Sequence, residues 1–473
     1  MKKGIRIVIF AVITALWLGR VYDVLRWKDT HGDYLSSVTQ LKETGDVTPD
    51  VVFVGSSHVY AGCYPAYFWE DAGIAAFNTA ISGMDRDSCY YYLKYLFRSQ
   101  HPKLVVIDMF CLTFDVHEYQ GNIYRNYLSL PLNRDSLAQV SAYAEKDETV
   151  SEDLADYLVR WPIIHTRYRE LQRPDFIPDE ANHLGKGEYL NWENLQQAKK
   201  QEPGDFAPVQ LSEDQLKWLE DVSKLCRENG AEPLFMVLPF ETLRDDQGRM
   251  DAAARYAQEQ GIPFFDFNRL SGECGIDPDT DYFDNNHLNA LGAKKIALFF
   301  EEYFAENYEF PDHRGDAAYS SWDDDLRYYY QRKYGDALKK ETDLDNFVDL
   351  LLQTKDMTAV ISLEGEFDAE EYTALQRLGI DPALCPGGGK WLWSEGQLTL
   401  LNANDPATPE YTKDLDEYSS LLVRYVGDYS ANNVLIDRRD YSNKGKALAI
   451  VVYDSLLHNI LIGREFGRDN SGN

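Results

Sequence analysis

Between residues 51 and 110 the chain alternates short apolar runs with longer segments that carry apolar residues at helical spacing. Short uninterrupted apolar runs are typical of strands that are buried on both faces. The pattern predicts strands at 51–54, 74–78 and 102–110, with helices at 64–73 and 85–99 between them. Because strands that are joined through helices run parallel, we expect a sheet covered by helices on both faces.

This alternation stops once and then resumes. Residues 112–212 are polar, rich in tyrosine and inclined to helix, without a regular succession of strand and helix. Further helices are predicted at 213–230, 251–261 and 289–307, and further strands at 232–239 and 262–267. The pattern therefore predicts a five-stranded α/β domain with a helical insertion of about a hundred residues. The insertion is interpreted either as a structural excursion or as a lid that shapes the substrate site.

A different texture follows the α/β region. Residues 309–350 form a charged, tyrosine-rich linker, and residues 351–473 carry short β-type runs separated by Gly, Asn and Asp turns. One helix, at 369–379, interrupts these runs, so we expect a mainly β accessory domain. Trp391 and Trp393 lie two positions apart and share one face of a predicted strand, where they would either stack on a sugar or belong to the core.

The first 30 residues differ from all the others. An uncharged stretch of 13 residues, Ile7–Gly19, lies between two arginines and follows two lysines. A membrane span needs about 20 apolar residues, but neighbouring residues extend this stretch and the flanking arginines can reach the bilayer surface. We interpret residues 1–30 as an uncleaved anchor of a single-pass membrane protein, with a cleaved secretory signal or a buried core helix as alternatives. The lysines favour a cytoplasmic N-terminus and an extracellular position for the rest of the chain.

Composition narrows the classes of function. The 473 residues include 78 Asp and Glu but only 47 Lys and Arg, a formal net charge of −31. Because so acidic a surface repels phosphate backbones, we expect no nucleic-acid partner. The histidines and cysteines form no cluster with metal-ligand spacing, and the Gly-rich run at 386–390 lacks the spacing of a phosphate-binding loop. The sequence therefore predicts neither a metal nor a cofactor.

Two short motifs place reactive side chains at one predicted edge of the sheet. Gly55-Ser56-Ser57 directly follows the first strand, and Asp284 and His287 follow the last strand. Ligands of parallel α/β sheets bind beyond the carboxyl ends of the strands, where both motifs would lie. A serine hydroxyl needs a base, and the base needs an orienting group. Asp284 and His287 are three residues apart, so Asp284 can hold one imidazole nitrogen of His287 while the other nitrogen faces Ser57.

These residues also have structural interpretations. Ser56 or Ser57 could cap the following turn, and Asp284 could cap a helix beside a surface histidine. His58 is expected to line the pocket rather than act as a base, because side chains of adjacent residues diverge. Asp108 is expected either to be a polar group of the site or to belong to a turn at the end of its strand.

In this order and at these strand positions, Gly-x-Ser and Asp-x-x-His resemble the SGNH/GDSL hydrolase superfamily, over about residues 50–307. The similarity is to its membrane-anchored, extracytoplasmic branch, which includes the D-alanyl-lipoteichoic acid transfer proteins and the alginate-type O-acetyltransferases. The resemblance implies a flavodoxin-like, three-layer parallel sheet. It also implies that Ser57 is the nucleophile, His287 the general base and Asp284 its orienting partner.

The same resemblance implies an oxyanion hole made by the backbone N–H groups of Ser57 and Gly83, with Ser82 as the alternative to Gly83. Two features depart from the family pattern. The usual Gly-Asp-Ser reads Gly55-Ser56-Ser57, a substitution also found in the D-alanyl transfer branch. The usual Gly-x-Asn-Asp after strand three is absent, and residues 105–113 read VVIDMFCLT instead. An asparagine donor is therefore missing unless the insertion supplies one, and such a loss costs about a hundredfold or more in turnover.

Together with the anchor, the resemblance implies that residues 31–308 form an extracytoplasmic serine O-acyltransferase. Its acyl group is expected to be acetyl, and its acceptor a cell-surface polysaccharide. In the resembled branch a membrane-bound O-acyltransferase carries the acyl group across the bilayer, so such a partner is expected here. The alternatives are a carbohydrate esterase or deacetylase of the same fold and a degenerate glycan-binding scaffold. The C-terminal domain loosely resembles interleukin-like, carbohydrate-associated β domains over residues 357–380 and 447–454, which implies glycan binding, with a structural or partner-docking role as the alternative.

Overall fold

The computed structural model describes eleven parts of the chain and divides it into two compact units, Met1–Leu326 and Arg327–Asn473. The described residues are 2–26, 47–114, 120–176, 185–195, 198, 209–354, 356–363, 369–381, 388–402, 410–424 and 433–469. The division falls inside the region that the sequence marks as a linker.

A five-stranded parallel sheet forms the centre of the first unit. Its strands are β1 (Val51–Val54), β2 (Ala76–Asn78), β3 (Leu104–Asp108), β4 (Glu232–Val237) and β5 (Phe264–Asp266). Their order across the sheet is β2-β1-β3-β4-β5, which is the flavodoxin-like order. The direction of progression reverses between β1 and β3, and a ligand crevice is expected at the carboxyl ends of those two strands. The predicted α/β fold with a flavodoxin-like sheet is confirmed.

Helices cover both faces of this sheet. The helices of the first unit are α1 (Lys2–Leu25), α2 (Ser57–Gly62), α3 (Pro65–Ala72), α4 (Arg86–Leu96), α5 (Gln120–Ser129), α6 (Arg134–Lys146), α7 (Glu148–Glu152), α8 (Leu154–Val159), α9 (Trp161–Ile164), α10 (Glu213–Glu228), α11 (Arg244–Gln260), α12 (Phe267–Leu270) and α13 (Ala290–Asn307), with 3-10 turns at Met109–Leu112, His165–Arg169, Arg173–Phe176 and Ala317–Tyr319. Among them, α3, α4, α10, α11 and α13 pack on the sheet. Val52 and Val54 belong to a core cluster with residues of α4, α10 and α11. The intervening Phe53 packs on the other face, against Phe68 of α3 and Phe300 of α13.

Capping side chains set the helix boundaries. Asp85 caps α4 by accepting from the N–H of Ser88. α11 begins at Arg244 rather than at the predicted residue 251, because Asp246 accepts from the N–H of Leu243 and closes a first turn there. Because the first turn is polar, the spacing of apolar residues does not reveal it.

The insertion between β3 and β4 is helical from α5 to α9, as predicted, whereas its described residues 185–195 form no helix. It has a small hydrophobic core of its own, which includes Ile123, Tyr127, Val140 and Tyr157. The predicted insertion also covers 115–119, 177–184, 196–197 and 199–208, which lie outside the described residues.

Within the described residues, one helix is long and apolar enough to cross a membrane, namely Gly4–Leu25 within α1. The most apolar stretch of this helix is not buried against the rest of the protein. This agrees with the predicted anchor in length and composition.

The second unit is mainly β. Helix α14 (Ser320–Lys340) crosses the division between the units, and α15 (Leu344–Gln353) and α16 (Ala369–Arg377) follow it, so the predicted linker is largely helical. The strands are β6 (Met357–Leu363), β7 (Gly389–Ser394), β8 (Gln397–Asn402), β9 (Glu410–Asp414), β10 (Ser420–Arg424), β11 (Val434–Ile436), β12 (Arg439–Asp440), β13 (Lys446–Asp454) and β14 (Asn459–Asp469). They form two antiparallel sheets, ordered β14-β13-β6-β7-β8 and β12-β11-β10-β9. The predicted C-terminal β domain is confirmed.

Trp391 and Trp393 belong to the core of this β domain. They are 5% and 2% exposed, and they pack with residues of α15 and α16. The interpretation in which these two rings stack on a sugar is therefore wrong, and the interpretation as core residues is correct.

Candidate active site

A tight turn at the end of β1 presents the serine pair. Ser56 caps the short helix α2 by accepting from the N–H of His58, and Ser57 is the first residue of that helix. A side chain at Gly55 would bring a Cβ within 2.4 Å of the Asp108 Cβ and 2.5 Å of the Val59 Cγ2. Only glycine lets the turn pass this close to the end of β3.

The histidine and its carboxylate lie in a loop between α12 and α13. An isolated bridge between Tyr282 and Leu288 closes this loop. Asp284 Oδ1 accepts from the N–H groups of Asn286, at 2.7 Å, and of His287, at 2.8 Å. The same carboxylate lies 3.0 and 2.9 Å from His287 Nδ1 through its two oxygens. Backbone N–H groups therefore fix the position of the Asp284 carboxylate, and this carboxylate in turn orients the imidazole of His287.

The two motifs meet. His287 Nε2 lies 2.7 Å from Ser57 Oγ, although 230 positions separate the residues. An ionised carboxylate only accepts hydrogen bonds, so Nδ1 of His287 carries the proton and its neutral Nε2 accepts from the Ser57 hydroxyl. Burial by itself raises the pKa of Asp284, but the hydrogen bond and the charge of His287 outweigh it and lower this pKa. The arrangement has the geometry of a nucleophile, a base and an orienting acid.

The loop after β2 lies beside this group. Ile81 donates its N–H to the carbonyl of Gly55 at 3.0 Å, which joins the loop to the serine turn. Ser82 and Gly83 both line the cavity that contains Ser57, and Gly83 adopts a positive φ of 61°. Within the described residues, the N–H groups of Ser57 and Gly83 make no hydrogen bond. Both N–H groups are therefore free to act as the oxyanion donors that the family resemblance implies.

A residue of the insertion holds the loop in place. Asn126 of α5, which is fully buried, donates from Nδ2 to the carbonyl of Gly83 at 3.1 Å. Further along, the hydroxyl of Tyr143 on α6 donates to the carboxylate of Asp85, 2.6 Å away. The sequence motifs do not reveal these contacts. No local pattern connects an asparagine in the insertion with a glycine some forty positions earlier.

Asp108 lies beneath the serine turn. It is 2% exposed and accepts from the Ser56 hydroxyl at 2.9 Å, from the Ser56 N–H at 3.3 Å and from the Phe110 N–H at 3.0 Å. Burial raises its pKa to about 6, against the lowering effect of these hydrogen bonds. Asp108 is not among the described residues that line the cavity. It holds Ser56, which leaves Ser57 as the serine that contacts the imidazole.

His58 lies in the wall of the cavity, where the sequence places it. Its ring centroid is 3.9 Å from that of Phe110 and 5.0 Å from that of His287. Burial and then the nearby His287 lower its pKa well below the usual range, so the ring is neutral. His58 therefore contributes an uncharged aromatic surface next to Ser57.

The cavity encloses about 900 Å³ and has two chemically different walls. One wall is aromatic and consists of Phe110, Phe114 and Phe240 with His58. The other is polar and consists of Glu241, Arg244, Asp245, Asp246, Arg249 and Asn286. The segment after β4 supplies most of the polar wall, and sequence reasoning did not single it out. The available signal was its position after a strand that ends at the same edge of the sheet.

No family model matches this chain, and no curated protein matches it. Two solved structures are similar to part of it. A protein described as an acylhydrolase, from Bacteroides fragilis NCTC 9343, is 14% identical with a TM-score of 0.28, over 57% of this chain and 94% of that chain. A GDSL-like lipase from Bacteroides thetaiotaomicron VPI-5482 is 12% identical with a TM-score of 0.28, over 58% of this chain and 98% of that chain. TM-scores of this size carry no argument about this chain, whose fold and site stand on the sheet order and the side-chain geometry.

Proposed function

We propose that this protein is a membrane-anchored serine enzyme of the SGNH type that transfers an acyl group to a hydroxyl of a cell-surface polysaccharide. The observation that carries the proposal is the 2.7 Å contact between Ser57 Oγ and His287 Nε2, with Asp284 bound to the opposite ring nitrogen. A serine becomes a nucleophile when a base held in the correct tautomer can take its proton.

The chemistry then follows two steps. Ser57 Oγ attacks the acyl carbonyl while its proton passes to His287 Nε2, and Asp284 stabilises the resulting imidazolium. The N–H groups of Ser57 and Gly83 would stabilise the negative oxygen of the tetrahedral intermediate. The leaving group takes the proton from His287 as its bond to the acyl carbon breaks. An acceptor hydroxyl then attacks the carbonyl of the acyl-enzyme while its proton passes to His287. The bond between the acyl carbon and Ser57 Oγ breaks, and Ser57 recovers its proton from His287.

Two features support a carbohydrate acceptor near a membrane. The polar wall, with Glu241, Asp245 and Asn286, offers groups that can hydrogen-bond to sugar hydroxyls. Helix α1 is long and apolar enough to hold the domain beside the cell-surface glycans. A membrane-bound O-acyltransferase that delivers the acyl group, and an extracellular position of the catalytic unit, belong to the same proposal.

A carbohydrate esterase is the second candidate. The side chain of His287 is 20% exposed, so water can approach the base that would activate it. The two candidates differ only in what attacks the acyl-enzyme, water or a sugar hydroxyl.

The decisive experiment offers both acceptors to one acyl-enzyme. The full chain in detergent micelles is supplied with p-nitrophenyl acetate as donor and with oligosaccharides of cell-surface glycans, and mass spectrometry follows acetylated sugar and free acetate. The proposal predicts acetylated sugar from the wild type and none from Ser57→Ala. Free acetate without acetylated sugar would support the esterase. Release of p-nitrophenol at the same rate from both proteins would contradict either enzyme.

A further inference from the structure

The end of the anchor helix is fixed to the insertion by a buried arginine. Arg167 is 3% exposed and donates from Nη1 to the carbonyls of Leu25, at 3.1 Å, and Arg26, at 2.7 Å. A helix cannot bond its own last carbonyls, so the guanidinium supplies donors at the point where α1 ends. Asp175, which is fully buried, holds the other end of the guanidinium at 2.5 Å. The insertion thus caps the helix with a charged group that is shielded from water.

Apolar contacts extend this attachment. Tyr22 of α1 meets Trp161 of α9 edge to face, with 5.9 Å between the ring centroids. The 3-10 turns His165–Arg169 and Arg173–Phe176 also pack against α1. The C-terminal end of the anchor and this part of the insertion are therefore one packed structure.

The length of the uncovered part of α1 places this structure at the membrane surface. Residues Gly4–Arg20 are almost entirely exposed, whereas Val21–Arg26 are partly or fully covered by protein. At a rise of 1.5 Å per residue, Gly4–Arg20 spans about 25 Å. The hydrocarbon core of a bilayer is about 30 Å thick, so a spanning α1 would use all of its uncovered length inside the bilayer. The covered end would then lie in the headgroup region, and the capping insertion with it.

The insertion exposes large apolar side chains around this point. Leu158, Val159, Tyr168 and Phe176 are 43%, 58%, 58% and 57% exposed, and we call them the clamp surface. They lie on α8 and on the two 3-10 turns that pack against α1. Exposed aromatic and aliphatic side chains beside a membrane span are stabilised in the headgroup region, where their apolar parts contact the acyl chains and polar atoms such as a tyrosine hydroxyl contact water.

We propose that the clamp surface inserts into the headgroup region of the same bilayer that α1 spans, as a second membrane contact of the protein. The occupant is lipid because α1, to which these elements are fixed, leads directly into the bilayer. Because the chain carries a net charge of −31, the contact depends on apolar burial and not on attraction to anionic lipids. The same insertion holds Gly83 through Asn126, so it fixes the active-site loop at a set height above the membrane. The inference rests on the proposed anchor.

A tryptophan reporter tests this directly. The full chain is reconstituted in phosphatidylcholine nanodiscs, either plain or brominated near the headgroup end of the acyl chains. The emission that Phe176→Trp adds to the wild-type spectrum is measured in both, with Tyr168→Trp as a second reporter. Leu298→Trp is the matched control, because Leu298 is 51% exposed on α13, outside the insertion. The inference predicts about threefold quenching by bromine for the two clamp-surface reporters and none for the control.

Quenching no greater than at Leu298→Trp would overturn the inference, including the case in which a protein partner covers the clamp surface. Native Trp17, which is 64% exposed on α1, reports the anchor itself through the emission lost in Trp17→Phe. Quenching of Trp17 without quenching at Phe176→Trp would reject the clamp surface alone. Absence of both would reject the anchor and the inference together, while acyl transfer by the enzyme in micelles would be unaffected.

Discussion

Replacing Asp284 by asparagine is expected to reverse the hydrogen bonding of His287. In the native loop Oδ1 is held by the N–H groups of Asn286 and His287, at 2.7 and 2.8 Å. An asparagine would keep its only oxygen in that position and would turn its NH₂ group towards His287 Nδ1. The NH₂ group would replace the oxygen that lies 2.9 Å from Nδ1, and because it only donates, a proton on Nδ1 would oppose it and is expected to move to Nε2. The imidazole would then donate to Ser57 and could no longer take its proton.

The size of the effect follows from the lost interaction. A hydrogen bond to a charged group contributes about 1.5–3 kcal/mol, and about 1.4 kcal/mol corresponds to tenfold in rate. The Asp284 side chain is 46% exposed, so solvent screens part of its charge. A buried triad carboxylate loses about 10⁴-fold on the same change, and for this screened one the lost hydrogen bond corresponds to about 10- to 150-fold.

The assay is the second-order rate constant for labelling by a fluorophosphonate, which reacts with an activated serine and needs no identified substrate. Asp279→Asn is the matched control, because it removes an exposed carboxylate from the same region without touching His287. Asp284→Asn should label about 10- to 150-fold more slowly and Asp279→Asn at the wild-type rate. A rate for Asp284→Asn within threefold of wild type would refute the proposed role of this carboxylate.

Three further predictions concern the surroundings of the triad. Gly55→Ala places a Cβ 2.4 Å from the Asp108 Cβ, so urea unfolding should show a loss of about 1–3 kcal/mol, whereas Gly272→Ala, with open space around it, should lose little. Asn126→Ala removes the hydrogen bond to the Gly83 carbonyl and should slow fluorophosphonate labelling about 3- to 10-fold, and an unchanged rate would separate the insertion from the oxyanion loop. The pKa of Asp108 is raised to about 6, so the folded protein holds this proton more tightly than the unfolded chain, and wild-type stability should fall relative to Asp108→Asn as the pH rises from 4 to 7; parallel stability curves for the two proteins would contradict this.

The fold and the meeting of the two motifs could be predicted because both depend on local patterns. β1 and β3 are uninterrupted apolar runs, and all their residues are buried. Ser57 follows one strand and His287 follows the last, so a parallel sheet brings both to one edge whatever the loops do. Apolar residues at helical spacing likewise predict a helix at 85–99, where α4 forms at Arg86–Leu96.

Features that depend on register or on distant packing could not be predicted. The contact of Asp108 with Ser56 requires β3 to pair beside β1 in one specific register. Asn126 reaches Gly83 only because α5 folds back over the loop after β2. The strand pattern places Trp391 and Trp393 on one face, but it is the same whether that face packs against a helix or meets solvent. The positions of α15 and α16 decide that this face belongs to the core.

The central claim is that Ser57, and not its neighbour Ser56, is an activated nucleophile. Its most direct test is to treat the full chain with a fluorophosphonate, digest it and locate the adduct by mass spectrometry, together with Ser56→Ala and Ser57→Ala. Ser56 donates to Asp108, whereas Ser57 contacts His287, so the account predicts one adduct on Ser57, retained in Ser56→Ala and absent in Ser57→Ala. An adduct on Ser56, or labelling of Ser57→Ala at the wild-type rate, would contradict it.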